Sequence, residues 1–213
     1  MTVFVLKLFA LVTMIIDHTG AVLFPQFRWM RYVGRLSFPI YAFLISEGFV
    51  HTRSVNKFLT RLLVFALISE VPYDLAFNGT ISFISDMNVF FTLFLGLLAL
   101  ALVDYFVYST FLQCACVAAL GALAQFLYTD YRFIGVCLIV SFYLFRDRLS
   151  FKIAGASNAL IPFSSSIEGM ALVSLVPICL YNGKQGRFKW KYFFYAIYPV
   201  HLMILVFIRD HIM

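Results

Sequence analysis

Asp17 and His18 stand side by side inside the apolar stretch FVLKLFALVTMIIDHTGAVLF, which runs from Phe4 to Phe24. That stretch is long enough to cross a bilayer. Ionisable side chains at membrane depth are costly and as a rule face a protein interior or a water-filled cavity. A carboxylate beside an imidazole is also the minimal set for base catalysis: the ring takes a proton, and the acid holds the ring or stabilises its charged form. Neighbours on a helix point about 100° apart, so the two tips do not meet each other. The expectation is a division of labour, with His18 facing a reacting group as general base and Asp17 meeting a cation on another helix. Positions 7, 11, 14 and 18 share one helical face, which puts Lys7 and His18 on one stripe about 16 Å apart at 1.5 Å per residue. The alternative is a structural pair buried for helix packing.

Further polar residues interrupt later apolar runs. In Gly34-Arg35-Leu36-Ser37-Phe38-Pro39, glycine permits close helix approach and Arg35 is a fixed cation that suits Asp17, Glu70 or a bound anion. Its structural alternative is a tie between two helices. Glu47 suits an acceptor or, more simply, a salt bridge with Lys7. Arg61 either meets a phosphate or snorkels to the interface. Glu70 is a candidate partner of Arg35. In the last apolar run, His201 follows Tyr198-Pro199, and Pro199 frees the carbonyl of Tyr195. His201 is either a packed donor or a second catalytic group, with Tyr198 and Asn88 able to add hydrogen bonds. The loop Asn182–Lys191 carries Lys184 and Arg187, which fit the phosphates of a soluble donor or serve as topology signals alone.

These residues must be positioned by helices. Of the 213 residues, 63% are hydrophobic and 12% charged, against about 45–50% and about 25% in ordinary globular domains; mean hydropathy is +0.94. The expected fold is an all-α, polytopic bundle forming one membrane domain over residues 1–213. Apolar runs at about 3–24, 30–50, 57–76, 88–107, 110–128, 132–146, 149–163, 167–182 and 191–209 give about nine spans. The seventh is short and polar, and eight is the alternative count. With the N-terminus cytoplasmic, inner loops hold Arg53, Lys57, Arg146, Arg148, Lys152, Lys184, Arg187, Lys189 and Lys191, whereas outer segments hold Arg28, Arg31, Arg132 and Arg209. This excess orients the bundle. It puts Asp17, His18, Arg35, Ser37 and Glu70 in the outer half, and Lys7, Glu47 and Arg61 nearer the cytoplasm. The first apolar run lacks a cleavable signal pattern and reads as a retained helix.

The net charge of +6 lies in short loops, which follows membrane topology and does not call for nucleic acid. Cys114, Cys116, Cys137 and Cys179 lie in apolar runs without metal-ligand spacing. There is no GxSxG, HExxH, Walker or Rossmann pattern, so no metal is expected.

Four pieces in order carry a resemblance: Met14-Ile15-Ile16-Asp17-His18; Gly34-Arg35 through Phe38-Pro39 with Tyr41-Ala42-Phe43; Asn88-Val89-Phe90-Phe91; and Phe194-Tyr195 through His201-Leu202. With them the chain resembles the TraX family, within the broader transmembrane acyltransferase group. That family is tied to conjugal transfer and to acetylation of pilin N-termini. The resemblance implies an acetyltransferase with acetyl-CoA as donor and His18 as leading catalytic residue. Asp17 or Arg35 would organise the site, and Tyr198 or His201 would stabilise the tetrahedral oxyanion. An acetyl-histidine intermediate is the alternative to direct transfer. Lys7, Arg61, Lys184 and Arg187 are the expected donor-binding cations. Arg35, Ser37, Glu47, Glu70, Asn88 and Tyr198 are the expected acceptor side. The acceptor is a pilin-like or other peptide amine, or a glycan hydroxyl, met at the bacterial inner membrane. The phenylalanine-rich surface is compatible with a homodimer.

Two other readings compete. A small proton-coupled transporter would use Asp17, Arg35, Glu70 and His201 as a relay, although the chain shows no internal repeat of the kind many transporters carry. A non-catalytic scaffold would tolerate alanine at His18 and His201.

Overall fold

Helix formation follows directly from the long apolar runs, because backbone polar groups in lipid must be satisfied within each segment. A computed structural model describes residues 1–81, 86–146, 155–156, 167–186 and 190–212. These residues are helical, without a strand among them; Met87 and Thr129 form an isolated bridge. The helices are α1 (Val3–Val22), α2 (Arg28–Gly34), α3 (Ser37–His51), α4 (Val55–Phe77), α5 (Val89–Tyr105), α6 (Thr110–Phe126) and α7 (Arg132–Leu144). A 3₁₀ turn over Ile167–Ser174 leads into the short α8 (Leu175–Cys179), and α9 (Lys191–His211) ends the fold.

Among the described residues, three helical stretches are long and apolar enough to cross a membrane: Val3–Val22, Arg28–His51 and Tyr192–His211. α5, α6 and α7 are apolar but shorter, at 17, 17 and 13 residues. α4 is 23 residues long and carries Lys57, Arg61, Glu70 and Asp74 among its apolar residues. The all-helical expectation therefore holds, and these stretches make the chain a membrane protein. The predicted seventh span, 149–163, lies almost wholly outside the described residues.

Two expected spans are interrupted. The second was expected as one helix over 30–50; it divides into α2 and α3 at Arg35-Leu36. Pro39 has no backbone N–H to offer the carbonyl of Arg35, but in the first turn of a new helix that missing donor costs little. Restarting at Ser37 puts Pro39 there. The eighth, expected over 167–182, is a 3₁₀ turn followed by five α-helical residues. Pro177 again falls in the first turn of the restarted helix.

The chain forms two compact units. One comprises Met1–Tyr41, Val71–Ser82 and Leu160–Met213; the other comprises Ala42–Glu70 and Phe83–Ala159. In the second unit, α5, α6 and α7 pack on one another, with Leu97, Leu100, Leu138 and Ile139 fully buried. Gly96 makes room for Ile139, whose Cδ1 would lie 2.2 Å from a Cβ at that position.

In the first unit, α1 packs against both α2 and α9. α1 and α9 run in parallel. Near their starts Phe4 meets Trp190 and Phe194, and further along His18 meets Tyr198 and His201. The first turn of a helix leaves backbone N–H groups without helical partners. In α1 the loop preceding α9 supplies acceptors: Val3 N donates to the Lys184 carbonyl at 2.9 Å and Phe4 N to that of Gln185 at 3.2 Å. Thr2 adds a side-chain cap to Val5 N at 3.4 Å.

Candidate functional site

The last turn and a half of α1 presents Asp17 and His18 in different directions, as helical geometry requires. The chain turns at Phe24–Phe27, where Phe27 N donates to the Phe24 carbonyl at 2.9 Å, and α2 comes back against α1. Positions 31, 34 and 35 fall on one face of this short helix. They are Arg31, Gly34 and Arg35, and that face receives Asp17.

Arg31 Nη1 donates to Asp17 Oδ2 at 2.7 Å. Arg35 Nη2 lies 3.6 Å from the same oxygen. Gly34 is the gap between the two guanidinium groups. A Cβ there would lie 2.0 Å from Asp17 Oδ1 and 2.1 Å from its Cβ, so only glycine admits the carboxylate at this spacing. Gly20 does the same one turn along, where an added Cβ would come 2.6 Å from Met30 Cβ. The expectation that Asp17 ties α1 to a cation on another helix is thus met by two arginines.

His18 turns the other way, toward α9. Its Nδ1 lies 2.7 Å from His201 Nε2. The two rings are parallel within 8°, with centroids 5.0 Å apart. Parallel planes with nitrogens in direct contact describe an in-plane N–H···N bond between ring edges. The tautomers follow from the next bond in the chain. His201 Nδ1 lies 2.8 Å from the Ile197 carbonyl, which only accepts, so His201 Nδ1 carries the proton and donates it. In the neutral ring Nε2 is then an acceptor. His18 must donate from Nδ1, which leaves its Nε2 lone pair as the basic position. Tyr198 and Phe77 present ring contacts to His18 at 5.8 and 5.4 Å between centroids. Both nitrogens of His201 are engaged, one with His18 and one with the Ile197 carbonyl.

The other expected residues divide between the units. Tyr198 is buried beside both histidines, and Ser37 is half-buried at the start of α3. Lys7 lies one to two turns into α1, with Nζ 5.6 Å from the centre of the Phe194 ring. Lys184 is exposed in the loop that caps α1. Glu47, Arg61, Glu70 and Asn88 belong to the second unit. Glu47 there has His51 Nδ1 3.9 Å from its carboxylate, and Arg61 lies over the Phe58 ring at 5.5 Å. Asn88 makes three side-chain hydrogen bonds. Its Oδ1 caps α5 by accepting from Phe90 N at 3.0 Å, and its Nδ2 donates to Glu70 Oε2 and to the Ala66 carbonyl. Glu70 Oε2 also accepts from Asn88 N at 3.3 Å. Arg187 lies outside the described residues.

Arg31 was the residue that sequence reasoning missed. It reads as an outer-loop cation, yet it makes the shortest contact with Asp17. The available signal was the Arg31-x-x-Gly34-Arg35 spacing, which puts two cations and a gap on one helical face.

The model of the family described as TraX protein matches residues 3–209, from the first residue of α1 to the last turn of α9. The chain belongs to the TraX family. All four sequence pieces that carried the resemblance lie inside the matched stretch. Among curated proteins, this TraX chain is similar to a probable fimbrial assembly protein, FimC of serogroup H1, from Dichelobacter nodosus. The two are 32% identical, across 95% of this chain and 93% of that protein. An uncharacterised protein of Rickettsia prowazekii (strain Madrid E) is 28% identical across 43% of the TraX chain and 33% of its own length. No solved structure matches.

Proposed function

We propose that the chain is a multi-pass inner-membrane acetyltransferase, moving an acetyl group from cytosolic acetyl-CoA to an amine or hydroxyl acceptor. The observation that carries this reading is the His18–His201 bond, because the Ile197 carbonyl fixes both tautomers and leaves His18 Nε2 basic. In the reaction Nε2 takes the proton of the acceptor N–H or O–H as the acceptor attacks the thioester carbonyl carbon. The tetrahedral intermediate collapses, the C–S bond breaks, and the coenzyme thiolate leaves and recovers the proton from the His18 imidazolium. Tyr198, whose ring meets both histidines, is the proposed oxyanion partner through its hydroxyl. Asp17 holds the two arginines.

Family membership supports transfer chemistry. The name of the Dichelobacter nodosus relative, a probable fimbrial assembly protein, supports a pilin-like peptide amine as acceptor. The parallel course of α1 and α9 supports an odd number of crossings, and hence nine over eight. The test is release of coenzyme thiol from acetyl-CoA by detergent-purified protein supplied with an acceptor peptide. His18→Ala is expected to lower the rate by about 10²–10⁴-fold, the usual contribution of a general base, with the melting temperature retained. Acetyl-CoA at saturation is expected to raise that melting temperature. Undiminished turnover in His18→Ala removes the base from this mechanism, and no thermal shift at millimolar acetyl-CoA removes the donor.

A further inference from the structure

Where α1 and α9 begin, the fold gathers aromatic rings and cations that chemistry at His18 does not use. Phe4 packs at 90° against Trp190, with centroids 6.4 Å apart, and at 76° against Phe194, 6.1 Å away. Phe193 lies 5.6 Å from Trp190. Trp190 nevertheless remains 55% exposed. Lys7 stands over Phe194. The backbone of Lys184 is bonded to Val3, so this exposed lysine is fixed beside the start of α1. We propose that this end of the α1–α9 pair binds the adenine nucleotide of the acyl donor, with Trp190 as stacking platform and Lys7 and Lys184 facing the phosphates. The proposal rests on the acetyltransferase reading and names where that donor docks.

Three observations meet in this assignment. An aromatic residue held by its neighbours and more than half exposed suits base stacking, which tolerates any base because every base has a π-face. Ammonium groups beside it complement a diphosphate. And Lys7 lies eleven positions before His18 on α1, about 16 Å away along the axis. A charged nucleotide does not enter hydrocarbon, so its acyl group must reach the base on an extended arm. Coenzyme A is built that way, with pantetheine between nucleotide and thioester. A tryptophan at this level that served only as an interfacial anchor would have no effect on donor choice.

The experiment compares two donors, acetyl-CoA and acetyl-pantetheine, which lacks the nucleotide. Trp190→Ala is expected to raise the KM for acetyl-CoA about tenfold, the typical loss of one base–aromatic stack, while the KM for acetyl-pantetheine moves less than twofold. Trp190→Phe restores most of the difference, and Lys184→Ala repeats its direction. Binding of adenosine 3′,5′-bisphosphate to the purified protein, read by calorimetry, is expected to weaken in Trp190→Ala by the same factor. That arm does not depend on turnover. Bisphosphate binding that depends on Trp190, without acetyl transfer, would keep the nucleotide site and remove the acetyltransferase reading. Turnover in which both donors respond equally to Trp190→Ala, or in which neither responds, overturns the nucleotide site and leaves the base chemistry standing.

Discussion

Replacing Asn88 by alanine tests whether this residue is structural or binds acceptor. Asn88 is fully buried and Glu70 is 4% exposed. The asparagine side chain makes three hydrogen bonds: Oδ1 accepts from Phe90 N at 3.0 Å, and Nδ2 donates to the Ala66 carbonyl at 2.8 Å and to Glu70 Oε2 at 2.5 Å. Its backbone N–H donates to Glu70 as well, at 3.3 Å, and survives the substitution. Loss of an N-cap costs about 1 kcal/mol. A buried acceptor left without its donor costs about 1–3 kcal/mol, and here the Ala66 carbonyl and the Glu70 carboxyl group each lose one. Glu70 keeps the backbone donor and the Ala66 carbonyl keeps its helical one, so both shares fall at the low end. The expected loss is about 3 kcal/mol. The assay is reversible unfolding of the purified protein in mixed micelles, monitored by helical signal and by tryptophan emission. A companion, Asn88→Asp, sets a second acidic oxygen against Glu70 and is expected to be worse than alanine. An Asn88→Ala protein within about 1 kcal/mol of the parent but defective in acetyl transfer would refute this reasoning and return Asn88 to the acceptor site.

Gly34→Ala is expected to destabilise by about 1–3 kcal/mol, the usual cost of overpacking, because its Cβ would sit 2.0 Å from Asp17 Oδ1; the same unfolding assay checks it. Arg31→Ala leaves Asp17 with only the longer 3.6 Å contact to Arg35, and Arg31→Lys, which keeps charge but loses the guanidinium fork, is expected to recover part of the stability lost. His201→Ala removes the acceptor that holds His18 Nδ1–H and is expected to lower the turnover number more than it alters the KM for acetyl-CoA; an unchanged turnover number would show that His18 needs no orientation. Arg209 donates to the Leu75 and Ala76 carbonyls at 3.1 Å each, at the C-terminal end of α4, and Arg209→Ala is expected to cost about 1–2 kcal/mol and to speed amide exchange in the last turn of α4.

Much of the site was legible because lipid makes polar side chains conspicuous. Asp17, His18 and His201 each break a long apolar run, and the spacing of α1 fixed the different directions of Asp17 and His18. Gly34 and Arg35 were legible as a close approach with a cation. Arg31 was not, since a cation between spans already has a sufficient explanation in membrane topology. The division of the second span was legible in part: Pro39 frees the Arg35 carbonyl and allows a bend there, but a bent helix and a restarted one share that signal. The Glu70–Asn88 cap joins positions 18 residues apart in chain order, and no helical or strand periodicity relates such a pair. Tautomers were beyond the sequence altogether: they depend on the Ile197 carbonyl lying at hydrogen-bond distance from His201.

The gap at Gly34 also constrains the order in which sequence variants can arise. An added Cβ would meet the Cβ of residue 17 itself, at 2.1 Å, and not the carboxylate alone. Position 34 therefore stays closed to single-step variation even after Asp17 is replaced, unless the alternative at 17 is glycine. Positions 31 and 35 carry the charge yet remain open to graded exchange, lysine for arginine among them. A lineage can discard the ion pair in one step and regain it in one step, so long as residue 34 has not changed. Once that residue acquires a side chain and the helices have moved apart to admit it, reversion at 17, 31 or 35 no longer restores the contact. The residue in the site with no functional group at all is the one whose change has to be undone before the ion pair can return.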